Sequence, residues 1–143
     1  MGRDPGVLLR WFWAFHRFVD RMSGGRVDPG AVLGMPSLWL TTIGRKTGVE
    51  RRNAIWYVED GPNLVIVGSH VGSDRDPAWW TNLRAHPDAV VRIGRTIRAV
   101  RARQAHGEES ERLWQRWVAK YPSGARYRSD TSRELPIVVL EPR

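Results

Sequence analysis

Four cations crowd one short run: Arg45, Lys46, Arg51 and Arg52, within Gly44-Arg45-Lys46-Thr47-Gly48-Val49-Glu50-Arg51-Arg52. Glycines let a backbone turn sharply and expose its N–H groups. Guanidinium and ammonium groups on such a turn can clamp a phosphate or a carboxylate. A solvated basic hairpin is the plainer alternative. The run is not a Walker A loop, because that motif puts glycine directly before the lysine and Arg45 stands there.

Other chemistry-bearing residues are weaker signals. Gly68-Ser69-His70-Val71-Gly72 lacks the nucleophile-elbow spacing, since the serine follows the glycine directly. Ser69 therefore reads as a hydrogen-bonding group at a strand end. His16, His70, His86 and His106 have no ligand spacing and the chain has no cysteine, so no metal site and no thiolate chemistry are expected. The run Asp76-Pro77-Ala78-Trp79-Trp80-Thr81-Asn82-Leu83 opens a helix whose N–H groups offer a second anion or polar site. Trp79 and Asn82 share a helix face there. The alternative puts Trp79 and Leu83 in the core and leaves Asn82 solvated. Arg92, Arg95, Arg98, Arg101 and Arg103 form a basic hairpin without interleaved aromatics. That allows phosphate contact but not base stacking.

The elements that must position these groups follow from periodicity. Residues 7–22 read as a helix with Trp11, Phe12, Phe15, Phe18 and Val19 on one arc and Arg10, Arg17 and Arg21 opposite. It either packs on the core or lies on an anionic membrane surface. Residues 24–37 are a glycine- and proline-bearing loop. Strands are predicted over 38–43, 52–59 and 64–69, the last two joined as a hairpin by Asp60-Gly61-Pro62-Asn63. A helix begins at Ala78, with Pro77 in its first turn and Asp76 as cap, and ends near His86-Pro87. Strands over 89–93 and 96–105 meet at Gly94-Arg95. Glu108, Glu109 and Glu111 open a helix to Lys120, a loop covers 121–134, and a last strand covers 135–140. About six antiparallel strands and three helices make a mainly β, α+β molecule. A small barrel is favoured over an open parallel sheet because βαβ alternation is missing.

Composition agrees with a single globular domain of 143 residues, 41% hydrophobic and 27% charged. No apolar stretch is long enough to span a bilayer. No secretory pattern opens the chain, so a cytoplasmic protein is expected. The net charge of +8, carried almost entirely by arginine, calls for an anionic partner. Eight tryptophans can pack a core or wall a site for a flat ring.

Taken together, Leu40-Thr41-Thr42-Ile43-Gly44-Arg45-Lys46-Thr47-Gly48 with Arg51 and Asn53, then Val67-Gly68-Ser69, then Pro77 through Leu83, resemble the deazaflavin (coenzyme F420)-dependent nitroreductase family. Tyr121-Pro122, Tyr127, Thr131, Arg133 and Pro136-Ile137-Val138-Val139 extend the resemblance to the tail. It implies a split β-barrel like those that bind FMN or F420, formed by residues 23–143 behind the helix of residues 1–22. It assigns Arg45, Lys46, Thr47 and Arg51 to the cofactor's phosphate and acidic tail. Asn53, Ala54 and Ile55 would line the next part of the groove. Ser69, Ala78, Trp79 and Asn82 would lie near the ring or its ribityl chain, and His70 would be a weaker contact to the anionic tail. His70 stands where the family often has lysine, Gly124 where nitroreductase-type members have a tail-loop aromatic, and Ala54 where the family has proline.

The implied activity is hydride transfer from reduced F420 to a quinone, nitroaromatic or activated enone. Tyr121, Tyr127 and Ser69 are the residues placed to assist the acceptor. A lipid-soluble quinone would suit a helix over 7–22 lying on an anionic membrane. The alternatives are an F420 carrier without turnover, an FMN-binding oxidoreductase and, more distantly, a nucleic-acid-binding barrel. No nucleic-acid partner is expected, because the aromatics sit in helices and not beside the arginine hairpin.

Overall fold

A computed structural model describes residues 37–69, 75–131 and 133–143. The helix expected over 7–22, the boundary at residue 22 and His70 lie outside the described residues.

Seven strands form one antiparallel sheet: β1 (Ser37–Ile43), β2 (Glu50–Trp56), β3 (Val58–Asp60), β4 (Asn63–Val67), β5 (Asp88–Ile93), β6 (Thr96–Gln104) and β7 (Ile137–Pro142). Their order across the sheet is β2-β1-β5-β6-β7-β4-β3. The two edge strands, β2 and β3, are consecutive in the chain and are joined by Tyr57 alone. A sheet whose two margins are one residue apart cannot lie flat. It curls into a split barrel, as the sequence suggested.

Period-two alternation sends side chains to two separate cores. The inner face gathers Leu38, Leu40, Leu64, Ile66, Val91, Val100, Val138 and Leu140. Helix α1 (Ala78–Ala85) closes it with Trp79, Trp80 and Leu83. The outer face gathers Val58, Val65, Val67, Ile137 and Val139 under Leu113, Trp114 and Trp117 of α2 (Gly107–Lys120). Each fully buried aliphatic contributes about 1.5–3 kcal/mol relative to exposure. Helix α2 is also tied down by charge. Arg112 binds both carboxylate oxygens of Asp60 at 3.0 Å, and Arg103 of β6 chelates Glu109 in the helix's first turn.

Four details differ from the sequence reading. The strand expected over 52–59 is two strands, because Tyr57 marks the point where pairing passes from β1 to β4. The Asp60-Gly61-Pro62-Asn63 hairpin is there, with Gly61 at φ 59°, but only three residues of β3 enter it. Pro77, not Asp76, caps α1, and Asp76 instead accepts a hydrogen bond from Arg133. The expected loop 121–134 contains a 3-10 turn (Pro122–Gly124) and a short helix, α3 (Ala125–Ser129).

Candidate functional site

The cationic run forms the turn between β1 and β2. The Gly44 N–H donates to the Val49 carbonyl at 2.8 Å, and the Gly48 N–H donates to the Gly44 carbonyl at 2.8 Å. Gly48 has φ 68°, which side chains rarely tolerate. A Cβ at Gly44 would stand 2.8 Å from Thr47 Oγ1 and 3.0 Å from the Val49 carbonyl oxygen. Thr47 Oγ1 in turn accepts the Val49 N–H at 3.2 Å. The two glycines and the threonine therefore fix the turn's shape, and Arg45, Lys46 and Val49 stand exposed on it.

Helix α1 docks onto this turn through Asn82, which is 3% exposed. Its Oδ1 accepts the backbone N–H of Arg45 at 3.1 Å and Arg45 Nη1 at 3.4 Å. Its Nδ2 donates to Thr42 Oγ1 at 3.3 Å. Arg45 Nη1 also donates to Thr81 Oγ1 at 2.9 Å, and Thr81 donates to the Ala78 carbonyl at 2.8 Å. The solvated alternative for Asn82 is thus set aside. It is a buried bracket between strand, turn and helix.

Between the turn, β2 and α1 runs a groove of about 370 Å3. Arg45, Lys46, Thr47, Arg51, Asn53, Ala78, Trp79 and Asn82 all line it, so the fold gathers these expected residues in one place. Arg52 and Gly44 line it as well. Arg52 was visible in the charge run as a fourth cation, and here its guanidinium lies 4.8 Å from the centre of the Trp39 ring. Among the described residues, no carboxylate lines the groove. Glu50 sits at the start of β2, opposite Ile43, on the sheet face away from Arg51 and Asn53. Both of its carboxylate oxygens are buried without a hydrogen-bond partner, and burial pushes its pKa up to about 7.

Other expected residues fall elsewhere. Ala54 is exposed and, by strand alternation, shares the face of Glu50 and not that of Asn53. Ile55 turns inward onto the inner core. Ser69 is half-buried just past β4, and its carbonyl accepts Arg133 Nη2 at 2.9 Å. Tyr121 is not brought to the groove. It is buried in the outer core, stacked on Trp56 with ring centres 5.0 Å apart, and its hydroxyl donates to the Tyr57 carbonyl at 2.6 Å. Tyr127 packs half-buried against the same core. Gly124 has a physical reason: a Cβ there would run into the ring of Trp117. In the sequence Arg133 stands out only through the family resemblance, and its bridge to Asp76 and Ser69 is not visible there. A side chain that acts across more than fifty residues of chain leaves no local pattern.

The residues present fit a flat ring carrying an anionic tail. Four cations line the groove, Ala78 and Trp79 line it as well, and the volume is that of a small-ligand cleft. The sequence profile of the F420H(2)-dependent quinone reductase family matches residues 11–142. A Mycobacterium tuberculosis H37Rv protein described as an F420H(2)-dependent quinone reductase is 39% identical over 147 aligned positions, covering 99% of this chain and 95% of that protein. A solved F420-H2 dependent reductase superposes with a TM-score of 0.69 at 33% identity, over 74% of this chain and 94% of that one. A protein solved as a domain-swapped dimer superposes with a TM-score of 0.72 at 31% identity, over 90% and 97%. A Listeria innocua pyridoxamine 5'-phosphate oxidase-like structure, 14% identical with a TM-score of 0.54, shares the fold alone. Sequence, barrel and cationic groove agree, and the chain belongs to the F420H(2)-dependent quinone reductase family.

Proposed function

We infer that this chain is an oxidoreductase that holds coenzyme F420 in the groove beside α1 and reduces a quinone. The observation that carries the reading is the docked turn, with four cations and, among the described residues, no carboxylate lining a groove that Ala78 and Trp79 also line. Lys46 and Arg51 bind the acidic tail as exposed charges. Arg45 has one guanidinium nitrogen committed to α1, so it both braces the turn and offers charge. Asn53 and Trp79 border the ring and its ribityl chain. When bound, reduced F420 supplies a hydride to the acceptor.

The chain's own part is placement and the exclusion of water. Of the residues expected to assist the acceptor, Ser69 stands beside the entry of α1 and is the one that would hold the acceptor's oxygen, whereas Tyr127 packs against the outer core away from the groove. Tyr121 is the weaker choice, because its hydroxyl proton already serves the Tyr57 carbonyl. Nitroaromatics and activated enones are further acceptors to assay. A peripheral contact of residues 7–22 with anionic membrane would bring the protein to lipid-soluble quinones. No helix among the described residues is long and apolar enough to cross a membrane.

The test is a titration of wild type and Lys46→Ala with F420 and with FMN, followed by tryptophan fluorescence, with turnover measured on a soluble naphthoquinone. F420 is expected to bind in preference to FMN. Loss of one charge-assisted contact should weaken it by about 1.5–3 kcal/mol. Tight binding without turnover would favour a carrier. FMN preference, or equal affinity in the variant, would overturn the assignment. Deleting residues 1–22 tests the membrane contact, which fails if liposome binding is unchanged.

A further inference from the structure

The tail of the chain reaches back to α1 through one side chain. Arg133 Nη1 donates to Asp76 Oδ1 at 2.9 Å, and Nη2 donates to the Ser69 carbonyl at 2.9 Å. The Arg133 side chain is 14% exposed and that of Asp76 is 32% exposed. This pair is better shielded than an ordinary surface ion pair. Each residue it grips sits at a junction. Asp76 directly precedes Pro77, which caps α1 without any side-chain hydrogen bond of its own. Ser69 follows Gly68, whose N–H is held by the Pro136 carbonyl at 2.9 Å. One planar guanidinium therefore joins the exit of β4 to the entry of α1.

Helix α1 is fastened at two points that do different work. Asn82 ties it to the cationic turn, which sets the anion cradle. Arg133 ties its entry to β4, which sets where Ala78 and Trp79 stand relative to Ser69. Arg133 also lines a second cavity of about 340 Å3, together with Trp114, Arg128 and Thr131.

We propose that Arg133 is a positioning residue for hydride transfer, holding the entry of α1 against the end of β4 without touching the cofactor's anionic end. The proposal rests on the groove being the F420 site. It separates binding from turnover. Truncating Arg133 leaves the cations that dominate cofactor affinity in place. It frees the segment that faces the reacting ring, and small misplacement there is costly to rate. Lysine can satisfy one of the two acceptors but not both, since it lacks the fork.

The experiment compares full-length wild type, Arg133→Ala, Arg133→Lys and Asp76→Asn. F420 affinity is measured by tryptophan fluorescence, kcat with a soluble naphthoquinone, and recovery of Arg133→Ala by guanidinium chloride against equal sodium chloride. For Arg133→Ala, F420 affinity should stay within about threefold and kcat should fall about tenfold or more. Low millimolar guanidinium should restore part of the loss, sodium should not, and the lysine variant should lie between. Unchanged kcat, or a loss of kcat matched by an equal loss of F420 affinity, would overturn the proposal. If Arg133→Ala does not fold, Asp76→Asn decides: lowered kcat with retained affinity supports the role, and wild-type kcat ends it. Wild-type protein that fails to bind F420 would sink the groove assignment instead, a separate outcome.

Discussion

Asn82 shows how much one amide can carry. It accepts twice from Arg45 and donates to Thr42, all from a buried position. Asn82→Ala should destabilise the protein by about 1–3 kcal/mol, because the Arg45 N–H loses its acceptor in a partly buried site. Urea unfolding measures this, and a fall in F420 affinity should accompany it as the turn loosens. Glu50 is the opposite case, a carboxylate whose oxygens find no partner. Its pKa is raised to about 7 by burial. The folded protein therefore holds the Glu50 proton more tightly than the unfolded chain does. Stability from this group is fullest below the ordinary carboxylate range and is lost as pH rises to about 7. Glu50→Gln should raise the melting temperature at pH 8 and change it little at pH 4. An equal shift at both would refute the charge argument.

At the scale of elements, the tail after α2 is shaped by its aromatics. Trp114 stacks on Trp117 and Trp56 stacks on Tyr121, the two pairs meet at a tilt, and Gly124 gives Trp117 its room. Gly124→Tyr, which would drive a side chain into the ring of Trp117, should cost about 1–3 kcal/mol through overpacking and be visible in thermal unfolding. Tyr121→Phe should cost about 1 kcal/mol by removing the hydrogen bond to the Tyr57 carbonyl, with kcat nearly unchanged. A collapse of kcat at full stability would restore Tyr121 to the reaction. These elements also mark what the sequence could and could not tell. β5, β6 and α2 were legible because alternation, Gly94 and the acidic first turn of α2 are local signals. The cationic turn was legible because glycines and arginines there serve the turn itself. Tyr57 as a strand break was not, since nothing local distinguishes a residue that changes pairing partner. The stack that claims Tyr121, and the bridge made by Arg133, depend on residues far away in the chain.

For the molecule as a whole, a net charge of +8 accompanies a groove that has no carboxylate in its lining among the described residues. F420 affinity should fall several-fold as salt rises from about 0.05 to 0.5 M, because exposed charges such as Lys46 are screened over roughly a Debye length. Isothermal titration at stepped ionic strength checks this, and a flat response would mean that contacts other than charge dominate. The barrel itself depends on long-range partners, since β4 has its hairpin neighbour β3 on one side but finds its other neighbour in β7 at the far end of the chain. Its seam is different, because Tyr57 alone links the two margins. A backbone nick after Tyr57 would leave all the ladders in register yet remove that tether. How far the two rims then spring apart would report how much of the cylinder's closure is due to packing and how much to one peptide link.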